Sequence, residues 1–537
     1  MGRIITILLL LNASLIVKAQ EKEHFSLFTD RDLYISGETL LLKVIASSDE
    51  QSGIVNIDMI NRGGEKITGI ILEIINHQSD GFVYLPDSLS SGRYLLCAST
   101  GTNKIATIKE LYIANRFIGL PESDDDIQTS GSIVLNEKSV NDLQVNGVEK
   151  QYKPREKGQA IVKLPDELFN RIDGNLSACI AGMTPEFISP AFLSKLTAKT
   201  THITVKEGII LEGIVTDLKT SEPYKNSVVY LSIPDSIPEF QYYITGEDGH
   251  FYFQISKYYG KIPVVIQCFA KDKSKLLKIT LSDRDNVGII MTDFETYKFP
   301  PEFRKSVEKN IDATTFRKIF NQQEITIQPN PHIKSDTYPF YGIPTKTVDP
   351  QLFIDLPDFN EISKELLPGV KFRNYNRIPT LQVFNAAQQR YFDDQPLLLL
   401  DGIPIRDLNI IKNMGTKDID KVEICQGERF YGDLIFPGVV AIYTSKTDYT
   451  RVPESDDLIK LNIEVIQPHI ILKGPSEQLP NEPDLRQVLL WKPSLKTEQT
   501  FTLNFQTSDI LGIFRLIIRG KTKDGSIFYK EQIFEVN

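Results

Sequence analysis

From Phe25 to about Arg116 the chain alternates short apolar runs with Gly, Asn, Asp and Ser breaks, as in TLLLKVIAS, GIVNIDMIN, GIILEIINH and GRYLLCAST. One strand every ten to fifteen residues predicts a β-sandwich over 20–118. The polar stretch Pro121–Ser130, PESDDDIQTS, interrupts this rhythm. Its Asp124-Asp125-Asp126 run lacks the alternate-position oxygens and turn glycine of a calcium loop, so it reads as a solvated linker. A second set of strands is expected over 131–206. A third is expected over 207–295, with a turn at Glu247-Asp248-Gly249. The segment 296–350 is Pro-rich and charged, with a short helical piece near Glu302–Phe320, and reads as a linker or docking segment.

The pattern then changes. In DFNEISKELL (Asp358–Leu367), Phe359, Ile362, Leu366 and Leu367 fall on one helical face, and Pro368-Gly369 ends the helix. Strands follow in KFRN, LQVFN and PLLLLDG, then a partly helical IRDLNIIKNM, then strands KVEIC and VVAIYTS. This predicts an α+β module over 351–447. TFTLNFQT, IFRLIIRG and SIFYKEQIFEV return to strands and predict a final β-sandwich over 455–537. The expected fold class is mainly β: tandem β-sandwiches with one α+β domain.

Composition agrees with folded domains. The 537 residues are 41% apolar and 24% charged, with 21 Tyr and 29 Phe, a bias towards strands. Arg3, the apolar Ile4–Leu11 and the small residues around Val17-Lys18-Ala19 predict an export signal over 1–19, cleaved before Gln20. Cleavage would move the formal net charge from −10 to −12. An acidic chain without a basic tract excludes nucleic acid as a natural partner, and no segment reaches the ~18 apolar residues of a membrane-spanning helix. Cys97, Cys179, Cys268 and Cys425 each lie in an apolar strand-like run, about one domain apart, and read as small core hydrophobes.

Several stretches resemble known families. FTDRDLYISGETLLLKVIA (Phe28–Ala46) is similar to the opening of macroglobulin-type MG2 domains through Thr29, Asp30, Arg31, Tyr34, Gly37, Glu38 and Lys43, with Ser36 in place of the usual proline. QYKPREKGQAIVKL with NLSACIAG looks like the next macroglobulin-type repeat. That family's thioester uses Cys-Gly-Glu-Gln; Cys425-Gln426-Gly427-Glu428 holds the same letters in another order and does not indicate one. IILEGIVTDLKTSEPYKNSVVYLSIPD with TGEDGHFYFQI resembles the carboxypeptidase regulatory-like sandwich at Gly213, Asp217, Pro223, Val228, Thr245, Gly249, Phe251 and Phe253, a non-catalytic module. PLLLLDGIPIRDLN and DIDKVEICQGERFYGDLIFPGVVAIYTSK resemble a TonB-dependent receptor plug domain, matching at Pro396, Leu400, Asp401, Gly402, Pro404, Ile419, Val422, Glu423, Gly427, Tyr431, Gly432, Gly438, Val439, Ile442, Thr444 and Lys446. The residues Pro483–Gly525, with the single Trp491, resemble the last Ig-like domain of exported proteins that combine such parts.

A transporter barrel needs about 22 strands of ~9–11 residues, and 91 residues follow Lys446. The plug-like module is therefore expected without its own barrel, and no TonB box is recognisable near Gln20. The resemblance implies structural turns at Asp401, Gly402, Gly427, Gly432 and Gly438. It implies a non-enzymatic envelope protein that docks with or occludes an outer-membrane β-barrel or secretion translocon made by another chain. Candidate docking residues are Ile405, Arg406, Leu408, Met414, Arg429, Phe430, Tyr431, Phe436 and Pro437. The alternative is a free periplasmic or surface scaffold that binds proteases or glycans. No catalytic, metal or cofactor residues are expected. The six His are scattered without metal spacing, the nucleophile-elbow and P-loop patterns are missing, and Asp393-Asp394 are adjacent on extended chain and point apart.

Overall fold

The computed structural model describes residues 25–120, 137–183, 197–200, 209–282, 287–290, 301–328, 338–444, 449–474 and 482–537, apart from 47–51, 62–63, 100–104, 140–142, 236, 257, 271, 273, 321, 323–324, 376–377 and 525. The expected export signal and the Asp124–Asp126 run lie outside the described residues. The chain is mainly β, built of β-sandwiches and one α+β module. It forms two compact units: one from 1–207, 284–330 and 466–537, the other from 208–283 and 331–465. No helix among the described residues is long and apolar enough to cross a membrane.

The first unit begins with an eight-stranded sheet. Its order is Phe25–Thr29, Thr39–Ala46, Gln78–Tyr84, Lys66–Ile75, Ser52–Ile60, Gly92–Ser99, Ile105–Ala114 and Leu33–Ile35. All neighbours are antiparallel except the last pair. Phe25–Thr29 and Leu33–Ile35 end opposite sides of this order, yet only Asp30, Arg31 and Asp32 join them. The sheet must therefore curl back on itself, enclosing Tyr34, Leu40, Leu42, Val55, Ile57, Leu96 and Ile113.

The turn that closes it carries the TDRxxYxxGE residues, and their contacts explain their types. Asp30 accepts hydrogen bonds from the Tyr34 hydroxyl at 2.7 Å and the Leu41 amide at 2.8 Å, and pairs with Arg31 at 3.0 Å. Arg31 reaches Glu38 at 3.3 Å. Glu38 also accepts from Thr314 Oγ1 at 2.7 Å and Arg317 Nη2 at 3.4 Å. Burial alone would raise the Glu38 carboxyl, but the Arg31 and Arg317 guanidiniums outweigh it and hold the group below its ordinary range. Thr314 and Arg317 stand on the helix Pro301–Ile319, whose Val307 packs on Leu33, Ile35, Tyr112 and Ala114. The part of the expected linker up to residue 330 thus belongs to the first unit, and its Ile325–Ile327 strand pairs with Ile470–Leu472.

The expected sandwiches at 131–206 and 455–537 prove to be one. Lys157–Lys163 pairs antiparallel with Thr500–Gln506 in a three-stranded sheet completed by Gln144–Asn146. In the opposing sheet, Ile172–Gly182 lies between Gly512–Thr522 and Val488–Leu495, and Ile527–Val536 pairs with Gly512–Thr522. Both halves supply the core: Tyr152, Ala160, Val162, Leu176 and Ile180 from one, Leu503, Phe505, Phe514, Leu516 and Phe534 from the other. Tyr152 meets Phe505 and Phe534 edge-on at 5.6 and 5.2 Å.

In the second unit, Ile209–Asp217, His250–Ile255 and Leu277–Leu281 face a sheet of Glu239–Ile244, Val228–Ile233, Lys261–Phe269 and Leu458–Glu464. Leu458–Glu464, expected to open the last sandwich, is the edge strand here. The α+β module has a mixed sheet ordered Lys346–Val348, Lys421–Cys425, Val439–Tyr443, Leu397–Leu400, Ile403–Pro404, with Leu397–Leu400 and Val439–Tyr443 parallel. The helix Phe359–Glu365 is capped by the Asp358 side chain, which accepts from the Glu361 amide at 2.9 Å. It buries Phe359 and Ile362 against Phe372, Val383, Ile424 and Val440. Lys346–Val348, from the expected linker, belongs to this sheet. All four cysteines are free and buried, and burial pushes the Cys179 thiol up to about 12.

A fragment of residues 131–206 alone should lack β structure by circular dichroism, because Ile172–Gly182 then has neither neighbour; adding 482–537 in trans should restore it. Lys43 provides a pH test. Its ammonium group hydrogen-bonds Gln78 Oε1 at 2.6 Å and the Pro493 carbonyl, and burial draws its pKa down to about 7, against the pull of Asp80. Above pH 7 the unfolded chain still binds a proton that the folded chain has lost, so stability rises with pH. Between pH 7 and 8, below the pKa of about 8.5 at which unfolded thiols titrate, the first unit should gain up to about 1 kcal/mol in urea unfolding. Lys43→Met should flatten that rise.

Candidate docking surface

The α+β module positions its exposed face through two turns. Asp401 and Gly402 join Leu397–Leu400 to Ile403–Pro404, with φ of 49° and 85°. Two successive left-handed residues make the two-residue hairpin turn that suits strand twist, and Asp-Gly is its common sequence. Asp401 is wholly buried; its carboxylate accepts from the Thr444 amide at 2.8 Å and the Thr444 hydroxyl at 2.7 Å. These bonds tie the turn to the end of Val439–Tyr443.

The second turn makes the hairpin Arg429–Tyr431 with Leu434–Phe436, in register Arg429↔Phe436, Phe430↔Ile435 and Tyr431↔Leu434. Gly432 has φ of 57°, and a Cβ there would lie 2.0 Å from the Tyr242 hydroxyl. A lone two-stranded ribbon is marginal in water, so what holds this one matters. The Tyr431 hydroxyl donates to the Phe240 carbonyl at 2.7 Å, and the Tyr242 hydroxyl accepts from the Asp433 amide at 2.9 Å. The Tyr431 ring lies 5.2 Å from Phe340, 5.7 Å from Tyr242 and 5.8 Å from Phe240, and Phe240 stacks on Phe340 at 4.2 Å. Arg429 Nη2 donates to the Ile343 carbonyl at 3.1 Å. Beneath, the Tyr341 hydroxyl donates to Glu423 at 2.6 Å and touches the Tyr443 hydroxyl at 2.7 Å. Burial and the neighbouring Tyr443 drive the Tyr341 phenol far above its ordinary range, so it stays protonated and acts as a hydrogen-bond post.

Strand alternation sends the anchored and free side chains to opposite faces. Tyr431 is held, while the cross-strand pair Phe430 and Ile435 stands 63% and 62% exposed. A further apolar run, Leu352-Phe353-Ile354, is exposed after the 3₁₀ turn Pro350–Leu352.

Against this geometry the expected docking residues divide. Ile405, Leu408, Met414 and Phe436 are buried, the first three in the module core, and offer no surface to a partner. Their apolar side chains stand where the chain crosses the core rather than at its rim. Arg429, Tyr431 and Pro437 are half-buried, the first two by the contacts above. Arg406 is exposed, its guanidinium 3.7 Å above the Phe269 ring. Phe430 alone among the nine is a freely exposed apolar group. Of the expected turn glycines, Gly402, Gly432 and Gly438 have positive φ; Gly427 does not, and a side chain there would meet only Arg429 Nη1 at 3.7 Å. Ile435 lies within the expected Tyr431–Pro437 docking loop; the anchors Phe240, Tyr242 and Phe340 were not anticipated. Pairing outwards from the Gly432-Asp433 turn in RFYGDLIF sets Ile435 opposite Phe430; nothing local points to Phe240.

No protein-family model matches the chain, and no curated protein matches it. Among solved structures it is similar to trypsin-activated alpha-2-macroglobulin of Escherichia coli, at 10% identity over 96% of this chain and 41% of that one, with a TM-score of 0.25. It is also similar to methylamine-reacted alpha-2-macroglobulin of Salmonella, at 9% identity over 96% and 23%, TM-score 0.16. A third is the Escherichia coli adhesin FdeC, at 8% identity over 48% and 64%, TM-score 0.15. The chain thus spans about two fifths of the Escherichia coli macroglobulin. At these identities and scores the likenesses carry no argument about activity.

The Asp401 turn should be the structural keystone of the module. Asp401→Ala should destabilise the second unit by about 3 kcal/mol, because two buried donors lose a charged acceptor. Asp401→Asn, which keeps an acceptor and tolerates the left-handed backbone, should cost about 1 kcal/mol in the same urea titration.

Proposed function

We propose that this is an exported, non-enzymatic binding protein of a Gram-negative envelope. Its α+β module docks with, or occludes, an outer-membrane β-barrel or translocon supplied by another chain. The observation that carries this reading is the rigidly anchored hairpin whose free face presents Phe430 and Ile435. Exposed apolar side chains on a fixed support bind with little ordering cost. They stand on the module whose sequence resembles a receptor plug. The sandwiches act as spacers and as further binding surface. No metal-binding group of His, Cys, Asp or Glu occurs among the described residues, and the buried phenols and thiols described above are held in their protonated forms.

The test is affinity purification of the tagged full-length protein from detergent-solubilised envelopes. A β-barrel protein should co-purify with the wild type and fall at least tenfold with the double substitution Phe430→Glu, Ile435→Lys, whose thermal midpoint should stay unchanged. Absence of any barrel protein, together with fractionation as a free periplasmic protein, favours the alternative of a scaffold without a membrane partner.

A further inference from the structure

The composite sandwich of the first unit is open along one side. Its two sheets differ in extent: one has three strands, ending at Thr500–Gln506, and the other has six strands, ending on that side at Val488–Leu495. Among the described residues, Thr500–Gln506 pairs only with Lys157–Lys163, and Val488–Leu495 only with Ile172–Gly182. Each therefore has one edge with no strand of the described residues beside it. Both line the same groove of about 880 Å³, with the segment Ile470–Gly474 as a further wall.

The lining shows what such a groove can take. Tyr152, Leu490 and Phe505, which belong to the sandwich core, reach into it, as does the only tryptophan, Trp491. Its polar margin includes Gln159 and Asn504. A small polar ligand would leave the apolar floor wet, and a lipid chain would leave the strand edge unsatisfied. An extended polypeptide satisfies both, because its backbone pairs with the edge and every second side chain turns inward. The two edges are unequal. Pro493 has no amide hydrogen and its carbonyl is already taken by Lys43, which closes that end of Val488–Leu495 to pairing. Thr500–Gln506 contains no proline, although the carbonyl of Gln506 at its end is taken by Arg486 Nη2 at 3.2 Å.

We propose that this groove is a strand-acceptor site. It binds an extended segment of another polypeptide, roughly five to seven residues long, which adds to the free edge of Thr500–Gln506 and completes the smaller sheet. Recognition is through the backbone and through alternating apolar side chains. The margin carries both signs, Glu149 and Glu156 with Lys157, Lys473 and Lys492, so neither a strongly acidic nor a strongly basic segment is selected.

Trp491 makes the test direct, since all tryptophan emission comes from this groove. The full-length protein is titrated with a blocked seven-residue peptide alternating threonine and valine, and with the same peptide N-methylated at alternate amides. The expected result is a saturable change in emission and reduced acrylamide quenching with the first peptide, and at least tenfold weaker binding of the methylated one. Asn504→Phe, which fills the groove at the edge strand, should weaken the first peptide at least tenfold while far-ultraviolet circular dichroism is unchanged. No saturable change, equal binding of the two peptides, or unaltered binding by the variant would each overturn the proposal.

Discussion

One ladder decides how this chain can be arranged. Lys157–Lys163 lies against Thr500–Gln506, so everything from residue 164 to 499 sits inside the loop that this pairing closes. The entropic cost of so long a loop is less severe than its length suggests, because each doubling adds only about 0.6 kcal/mol. The kinetic cost is larger, since strand pairing across such separations is slow. The core of Tyr152, Phe505, Phe514 and Phe534 provides the compensating burial. Both halves of the sandwich supply that core.

The same principle recurs at smaller scale. The helix Pro301–Ile319 lies far along the chain from the first sheet, yet Thr314 and Arg317 share Glu38 with Arg31. A buried carboxylate needs its counter-charges close at hand, and here one of them arrives from a distant segment. The sandwich built around Ile209–Asp217 likewise takes its edge strand, Leu458–Glu464, from beyond the α+β module. Each compact unit is assembled from stretches that the other interrupts.

This explains which features could be read from the sequence. Strand periodicity was legible wherever one face is solvated: Ile209–Asp217 and His250–Ile255 alternate buried and open positions without a break. The helix stop at Pro368-Gly369 and the Asp401-Gly402 turn were legible because their chemistry is local. Domain boundaries were not, since no short pattern says which distant strand will pair with Ile172–Gly182. The proposed docking face was half legible. Ile405, Leu408, Ile411 and Met414 recur every three residues, the spacing of a core-facing stripe, and all four are buried. Reading that partly helical segment as a docking face assigned core residues to the surface. Phe430 was recognised, but the aromatic support beneath it comes from Phe240 and Phe340, outside the module's own pattern.

The shared sandwich also sets a clock on biosynthesis. Ile172–Gly182 leaves the ribosome long before Gly512–Thr522, its central neighbour, has been translated. At 5–20 residues per second the gap is roughly 17–70 s. For that interval a strand with both edges bare must avoid its counterparts on neighbouring nascent chains. Arrival of the last few dozen residues, and not any earlier event, commits the molecule to its final form.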